Sequence, residues 1–437
     1  PLSNPDVRPD CADRLIDEAA LCRLSHMGDE PTRCDVLVVG AGPGGGCAAL
    51  HSARRGLNTM LIEDHPAVGT PVHCGECISD LAVRNLDLDI PDDIIALPVS
   101  GIRVIFPDGT AKCLTEHGYV LEKHLFERWI AAEAQDAGAS FHLQHKLMGM
   151  ERMEDEDGIF QGWRCTGKGD RFPVETKVVI DASGVAGVCS KILDLNPRPK
   201  VIAGLQYEIL DVPTDGYLDF YIWPEYAKKG YLWMIPKNDG RANVGLVTED
   251  KKGAVKALDA FIENTHFKDL ELVNPPWREG DKVRGFGGTI PISGPHETTH
   301  SDGLMLVGDA AGFTSPLFEG GSHLALKSAV YAAQVAADAV AGGDLSASTF
   351  ARYPRMWKAE FPPYHKILRG KKALYALSDD ELSLMARCFP EEMNDMGVSG
   401  KGKIVLRLLF RRPSLYFKNI VSAMLAFGYS RAKHYGW

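Results

Sequence analysis

Residues 36–39 form an unbroken apolar run, mostly β-branched, as a strand buried on both faces requires. A glycine-rich turn follows; residues 47–55 then read as a helix and residues 58–63 as a second strand. Two more apolar runs, at 177–180 and 303–307, each enter a turn of small residues carrying an Asp, and a long helix is expected at 324–341. Between these lie two strands rich in aromatics. At 219–223, Phe220 and Ile222 share one face while Tyr221 and Trp223 share the other; at 231–237, Tyr231 and Trp233 point to one side. Beyond about residue 352 the pattern becomes helical. Residues 403–412 are apolar at 404, 405, 408 and 409 and basic at 407, 411 and 412, Pro413 ends that helix, and 415–427 reads as a longer, more apolar one. Residues 10–24 also have helical spacing, with Leu15, Ala19 and Cys22 on one face, and suggest a short helix packed on the body.

The first turn carries the clearest chemistry. Gly40-x-Gly42-x-x-Gly45, with Gly44 between, joins the first strand to the first helix. Gly40 permits the tight turn, Gly42 lets backbone approach a pyrophosphate, and Gly45 lets helix and strand pack closely. The helix N-terminus then faces the phosphates with unpaired N–H groups. Glu63, 18 residues past Gly45 at the end of the second strand, is placed to bind adenosine ribose hydroxyls. The later turns, Asp181-Ala-Ser-Gly184 and Gly308-Asp309, repeat a strand, small residues and a carboxylate; Asp309 would accept hydrogen bonds from polyol hydroxyls.

At 437 residues and 45% hydrophobic content the chain has room for two to four domains, and wholesale disorder is excluded. The charge-free stretch at 419–430 is too short to span a bilayer, so a polytopic membrane protein is not expected. A formal charge of −10 argues against nucleic acid as a partner. That total conceals an asymmetry: residues 397–437 hold eight Lys/Arg and no Asp or Glu. Ten dispersed cysteines form no disulfide scaffold, and Cys74-x-x-Cys77 has no second pair with which to bind zinc, so no metal is expected. No charged start with an apolar run opens the chain, so a cytoplasmic place is expected, peripheral on the inner membrane face if the basic tail binds anionic lipid.

The stretch at 40–63, Asp181-Ala-Ser-Gly184 and Gly308-Asp309 together resemble the FAD-binding fold of the para-hydroxybenzoate hydroxylase type. Pro71-Val-His-Cys-Gly-Glu76, Tyr231-Leu-Trp-Met-Ile-Pro-Lys237 and Arg241-Ala-Asn-Val-Gly245 resemble, within that group, the geranylgeranyl reductases, particularly the archaeal enzymes that saturate isoprenoid chains of membrane lipids. The likeness covers roughly residues 35 to 350. The chain departs from the pattern at Ile235 for Phe, Val247 for the second Gly of G-x-G, Lys123 for Arg, and Cys77 for Gly. The resemblance implies an α/β (α+β) fold with a Rossmann-like FAD-binding domain at 35–196 and 284–350. It further implies an inserted antiparallel-sheet substrate domain at 197–283, a helical basic segment at 351–437 and an atypical extension at 1–34.

It also implies roles for residues. Cys74 and Gly75 would face the isoalloxazine, Lys123 would help hold the cofactor, and Pro316 to Gly321, with Gly320 and Gly321 near the pyrimidine end, would follow the ring's other edge. Tyr231 and Trp233 would line the substrate pocket, unless that face is plain core. The implied reaction is transfer of hydride from reduced FAD to an isolated C=C bond of a prenyl chain on a lipid or diphosphate. Cys74, Tyr231 and Glu76 are the candidate proton donors. Glu319 and His323 could titrate near the ring, with a helix-cap role for Ser322 and a surface role for His323 equally open. NAD(P)H, ferredoxin or another reduced carrier would supply electrons. Competing readings are a dithiol- or carrier-linked flavin oxidoreductase using Cys74 and Cys77, an FAD-dependent aromatic monooxygenase, and a prenyl-protein carrier without flavin chemistry. The basic tail would be an interfacial anchor, a roof over the substrate cavity, or a subdomain docked by charge.

Overall fold

The computed structural model describes residues 30–394 and 398–435, so the helix expected at 10–24 lies outside the described residues. Strand β1 (Thr32–Val39) has Val36, Leu37 and Val38 fully buried. It runs into helix α1 (Pro43–Ala53), which begins earlier than its periodicity indicates because Pro43 presets the first helical φ. Strand β2 (Thr59–Ile62) pairs parallel with β1. The chain then supplies β3 (Gly101–Ile105) and β4 (Ala111–Leu114), and helix α2 (Lys123–Asp136) packs on α1. Gly46 is needed there: a Cβ would lie 2.6 Å from Ile130 Cγ2. Strands β5 (Ser140–His142) and β6 (Val174–Asp181) join the first sheet parallel to β2 and β1. An antiparallel hairpin, Lys146–Glu154 and Phe160–Lys168, extends from β6.

The second sheet follows. Its strands are β7 (Val201–Ile209), β8 (Tyr217–Tyr221), β9 (Tyr231–Pro236), β10 (Ala242–Thr248) and, after helix α3 (Ala254–Glu263), β11 (Phe286–Pro291). The spatial order β7-β10-β9-β8-β3-β4 is antiparallel except where β8 meets β3, and β11 lies on the other edge of β7. The division expected at 197–283 is therefore too narrow, since β3, β4 and β11 fall outside it and belong to this sheet. Alternation along β9 places Leu232 and Met234 against Leu258 and Phe261 of α3, while Tyr231, Trp233 and Ile235 face the opposite way. Burying a side chain such as Phe261 contributes about 1.5–3 kcal/mol.

Strand β12 (Leu304–Leu306) returns to the first sheet beside β6, and helix α4 (Ser322–Gly342) packs on α1. Among the described residues α4 alone has the length and composition to cross a membrane. Its Ala329, Ala332 and Ala336 are fully buried, so it serves as a core helix. The rest is helical: α5 (Tyr364–Leu374), α6 (Asp379–Cys388) with a Ser378–Glu381 capping box, α7 (Val398–Arg411) and α8 (Ile420–Tyr429). The single helix expected at 415–427 is not formed. A short 3-10 turn (Pro413–Tyr416) and Asn419 at φ 55° break the chain first. Helices α5 and α8 cross in backbone contact at Gly370, where a Cβ would lie 2.3 Å from Ser422 O. Their inward residues share one apolar core with Tyr231, Trp233 and Ile235.

Candidate active site

Between the two sheets lies a cavity of about 720 Å³. One end is backbone. Gly40, at φ 97°, turns so tightly under the 182–184 loop that a Cβ would lie 2.7 Å from Ala182 O. Gly42 faces open space, with no atom of the described residues within 4 Å of an added Cβ. No side chain caps α1 and its first turn holds no acid, so its N–H groups and positive dipole end meet the cavity unneutralised. Gly45 lies behind this surface; its absent side chain would strike Gly40 O at 1.7 Å. Glu63 lines the cavity, and its carboxylate accepts from Ala41 N at 2.8 Å and His65 N at 3.0 Å. Unfilled space over a bare helix N-terminus, with a carboxylate at the next strand end, suits an adenosine pyrophosphate.

The neighbouring turns divide. Gly184 and Gly308, both at positive φ, reach the cavity, as do Gly44, Gly320 and Gly321. So does Asp309, which accepts from Thr314 Oγ1 and whose pKa is raised by burial. Asp181 does not: fully buried, it accepts from Ser183 N, Ser183 Oγ and Cys189 N and braces its own turn. Pro316 is also behind the lining. Both corrections have one cause, since a turn that approaches a ligand with its small residues must anchor itself with its others.

Cys74, Gly75, Glu76 and Cys77 form the facing wall, with Lys123 beside them. Lys123 Nζ is 3.5 Å from Glu127 Oε1 and 5.0 Å from the centre of the Phe126 ring. Burial pushes both the Cys74 and the Cys77 thiols up, so neither is the ready thiolate a redox dithiol uses. Both carboxylate oxygens of Glu76 are engaged. One carboxylate oxygen accepts from Lys123 N at 3.1 Å; the other meets Asn243 Nδ2 at 2.5 Å and Lys237 Nζ at 3.0 Å. Lys237, 1% exposed, also reaches Glu122 (3.2 Å) and Glu208 (3.5 Å), and Arg241 pairs with both. This buried ionic cluster, beyond what the motif Tyr231–Lys237 discloses, fixes Glu76 as a structural anchor.

The other end is aromatic. Tyr231 packs on Phe220 (5.6 Å), Trp233 (5.9 Å) and Phe318 (5.3 Å), and Phe318 touches Phe427 of α8 at 5.8 Å between centroids. Tyr231 Oη donates to Phe318 O at 2.8 Å. Sequence reasoning missed Gln206, which accepts from Trp233 Nε1 at 3.0 Å and donates to Cys74 O at 2.9 Å; one amide in a strand carries no signal of its own. It also missed Lys371, which comes from α5 to pair with Glu319 at 2.7 Å. Ser322 makes no cap. His323 is buried, not at the surface; its ring lies 4.4 Å from that of Tyr435, and burial lowers its pKa to about 4.

A cradle of backbone at one end and an aromatic chamber at the other define an FAD-dependent oxidoreductase. Residues 35–191 match the FAD dependent oxidoreductase family and residues 201–274 the geranylgeranyl reductase catalytic domain. The chain is 34% identical over 399 residues to digeranylgeranylglycerophospholipid reductase of Methanocaldococcus jannaschii, covering 89% of this chain and 98% of that one. It is 33% identical to digeranylgeranylglycerophospholipid reductase 2 of Methanopyrus kandleri, covering 89% and 99%. A geranylgeranyl bacteriochlorophyll reductase-like structure from Thermoplasma acidophilum superposes with a TM-score of 0.77 at 30% identity, covering 88% of this chain and all of that one. The flavin-dependent brominase Bmp2, 19% identical with a TM-score of 0.63 over 90% and 93%, shares the fold. The chain belongs to the geranylgeranyl reductase family, and its cofactor is FAD.

Proposed function

We propose that this protein saturates isolated double bonds of a prenyl chain on a glycerophospholipid, working at an anionic membrane surface. The carrying observation is the aromatic chamber of Phe220, Tyr231, Trp233 and Phe318 continuous with the glycine cradle. Family membership supports the reaction class, and the relatives' names support the lipid. Gly40, Gly42, Gly44 and the α1 N-terminus would hold the pyrophosphate, Glu63 the ribose, and Gly184, Gly308 and Asp309 the polyol. Lys123, Cys74, Gly75, Gly320 and Gly321 would border the ring.

Reduced FAD, when bound, supplies the hydride. The chain's own task is then narrower, because an unactivated alkene offers no oxygen for an oxyanion hole to stabilise. The aromatic walls hold the alkene and exclude water, and Tyr231 or Cys74 presents a proton to the second carbon. The proton-donor role does not extend to Glu76, whose oxygens are already engaged. Protonated thiols and reductase kinship leave the dithiol and monooxygenase readings unsupported.

The surface reading rests on the C-terminal helices. Leu406, Phe410, Phe417, Val421 and Leu425 are exposed, Phe410 by 90% and Phe417 by 85%, and Lys403, Arg407 and Arg411 lie exposed among them. Such a basic apolar face suits anionic headgroups. The reaction is tested by reducing the flavin anaerobically and adding geranylgeranylated glycerophospholipid. Reoxidation by that lipid, and none by its saturated counterpart, supports the proposal; equal inertness to both removes it.

A further inference from the structure

Glu319 sits where the chain has least reason to keep a carboxyl group. Its φ is 50°, in the left-handed region that glycine adopts without strain, and the two residues after it are glycines. Its side chain is 2% exposed and lines the flavin-side cavity. Lys371 Nζ holds Oε1 at 2.7 Å, but Oε2 is buried with no hydrogen-bond partner among the described residues. The hydroxyl of Tyr231 faces Glu319 and gives its hydrogen to Phe318 O at 2.8 Å. A hydroxyl has one hydrogen and two lone pairs. With that hydrogen directed at Phe318, an ionised Glu319 would face a lone pair of the Tyr231 hydroxyl. A proton on Oε2 supplies the missing hydrogen and satisfies both groups.

We propose that Glu319 is the protonated reservoir that recharges Tyr231, and that Tyr231 delivers this proton to the prenyl double bond. The proposal rests on the prenyl-reductase reading and adds the proton's route to it. In the step, the π bond opens, one carbon takes up hydride, and the Tyr231 O–H breaks as its proton bonds to the other carbon. The Oε2–H proton passes to the Tyr231 oxygen, leaving Glu319 as a carboxylate against the Lys371 ammonium. Water returns the proton after product leaves. Burial raises the Glu319 pKa while Lys371 and, less, Tyr231 oppose that rise, the balance a recharging acid needs. The other groups facing this pair are Tyr375, just past the end of α5, whose pKa burial raises, and the Cys77 thiol beyond Tyr231.

Three measurements test it. First, the protonated-carboxyl infrared absorption at neutral pH, in protein without substrate, should lose a component in Glu319→Gln relative to wild type. Second, Glu319→Gln and Tyr231→Phe should bind flavin normally and lose turnover by about 10²–10⁴-fold, the usual range for a lost general acid. Third, turnover should fall as pH rises and Glu319 ionises, and Lys371→Met, which removes the charge favouring ionisation, should move that fall to higher pH. A wild-type rate in flavin-loaded Glu319→Gln, an unchanged infrared band, or an unmoved alkaline limb overturns this inference and leaves prenyl reduction standing. Failure of the wild-type protein to reduce any prenyl lipid would overturn the reaction reading and this inference with it.

Discussion

Gln206 Nε2 donates a 2.9 Å hydrogen bond to the carbonyl oxygen of Cys74, so a central strand of the second sheet sets the position of the loop that borders the flavin. The same amide accepts from Trp233 Nε1, which ties the aromatic chamber to that loop. Gln206→Leu keeps the volume and leaves the indole N–H and the Cys74 carbonyl unpaired. Each unpaired buried group costs about 1–3 kcal/mol. Chemical denaturation should show a loss of that size, with turnover reduced further because the loop shifts. An unchanged denaturation midpoint would show that the bridge adds no stability.

Gly42→Val separates cofactor binding from folding. Gly42 has φ −67°, which any residue adopts, and its Cβ would meet no atom of the described residues within 4 Å. The apoprotein should melt as wild type does. Flavin affinity should fall tenfold or more, about 1.4 kcal/mol, because the new side chain occupies the pyrophosphate's place. Absorbance titration with FAD measures this, and undiminished affinity would move the pyrophosphate elsewhere.

The buried ionic cluster makes a pH prediction with a definite sign. Burial alone would raise the Glu122 carboxyl, but Lys237 and Arg241 hold it below its ordinary value. A carboxyl lowered by folding contributes stability above its unfolded pKa, near 4.3, and loses it as pH falls through the folded value. Glu122→Gln should therefore destabilise most at neutral pH, and the gap from wild type should close on acidification below about pH 4. Glu208, raised by burial, acts in the opposite sense and limits the net effect. Urea midpoints measured across this range check it; a gap independent of pH would contradict the charge argument.

Phe410→Ser with Phe417→Ser removes two exposed aromatics from the basic face and no buried contact. Each Phe inserted into a membrane contributes about 1.5–3 kcal/mol. Flotation with anionic vesicles should capture wild type, lose the double variant, and weaken in high salt. Equal flotation of both would mean that another surface meets the lipid.

Local chemistry made the first βαβ unit legible: a doubly buried run, glycines whose absent side chains the turn requires, and Glu63 at a fixed spacing. Period-2 alternation likewise placed Tyr231 and Trp233 on one face. What stayed hidden depends on residues far apart in the chain. Glu76 reads as a cavity acid until Lys237 and Asn243, more than 150 residues later, are seen to occupy it. Asp181 and Asp309 follow similar strands, yet one serves its own turn and the other the cavity. The tail's apolar positions 404 and 408 face inward, while the exposed ones are 406 and 410, because the core under α7 selects the face.

Saturation of a prenyl chain leaves its record in the lipid, which mass spectrometry reads after anaerobic turnover. Geranylgeranylated glycerophospholipid should gain two hydrogens for each double bond lost, in step with flavin reoxidation. Recovery of the lipid unaltered while the flavin is reoxidised would contradict it.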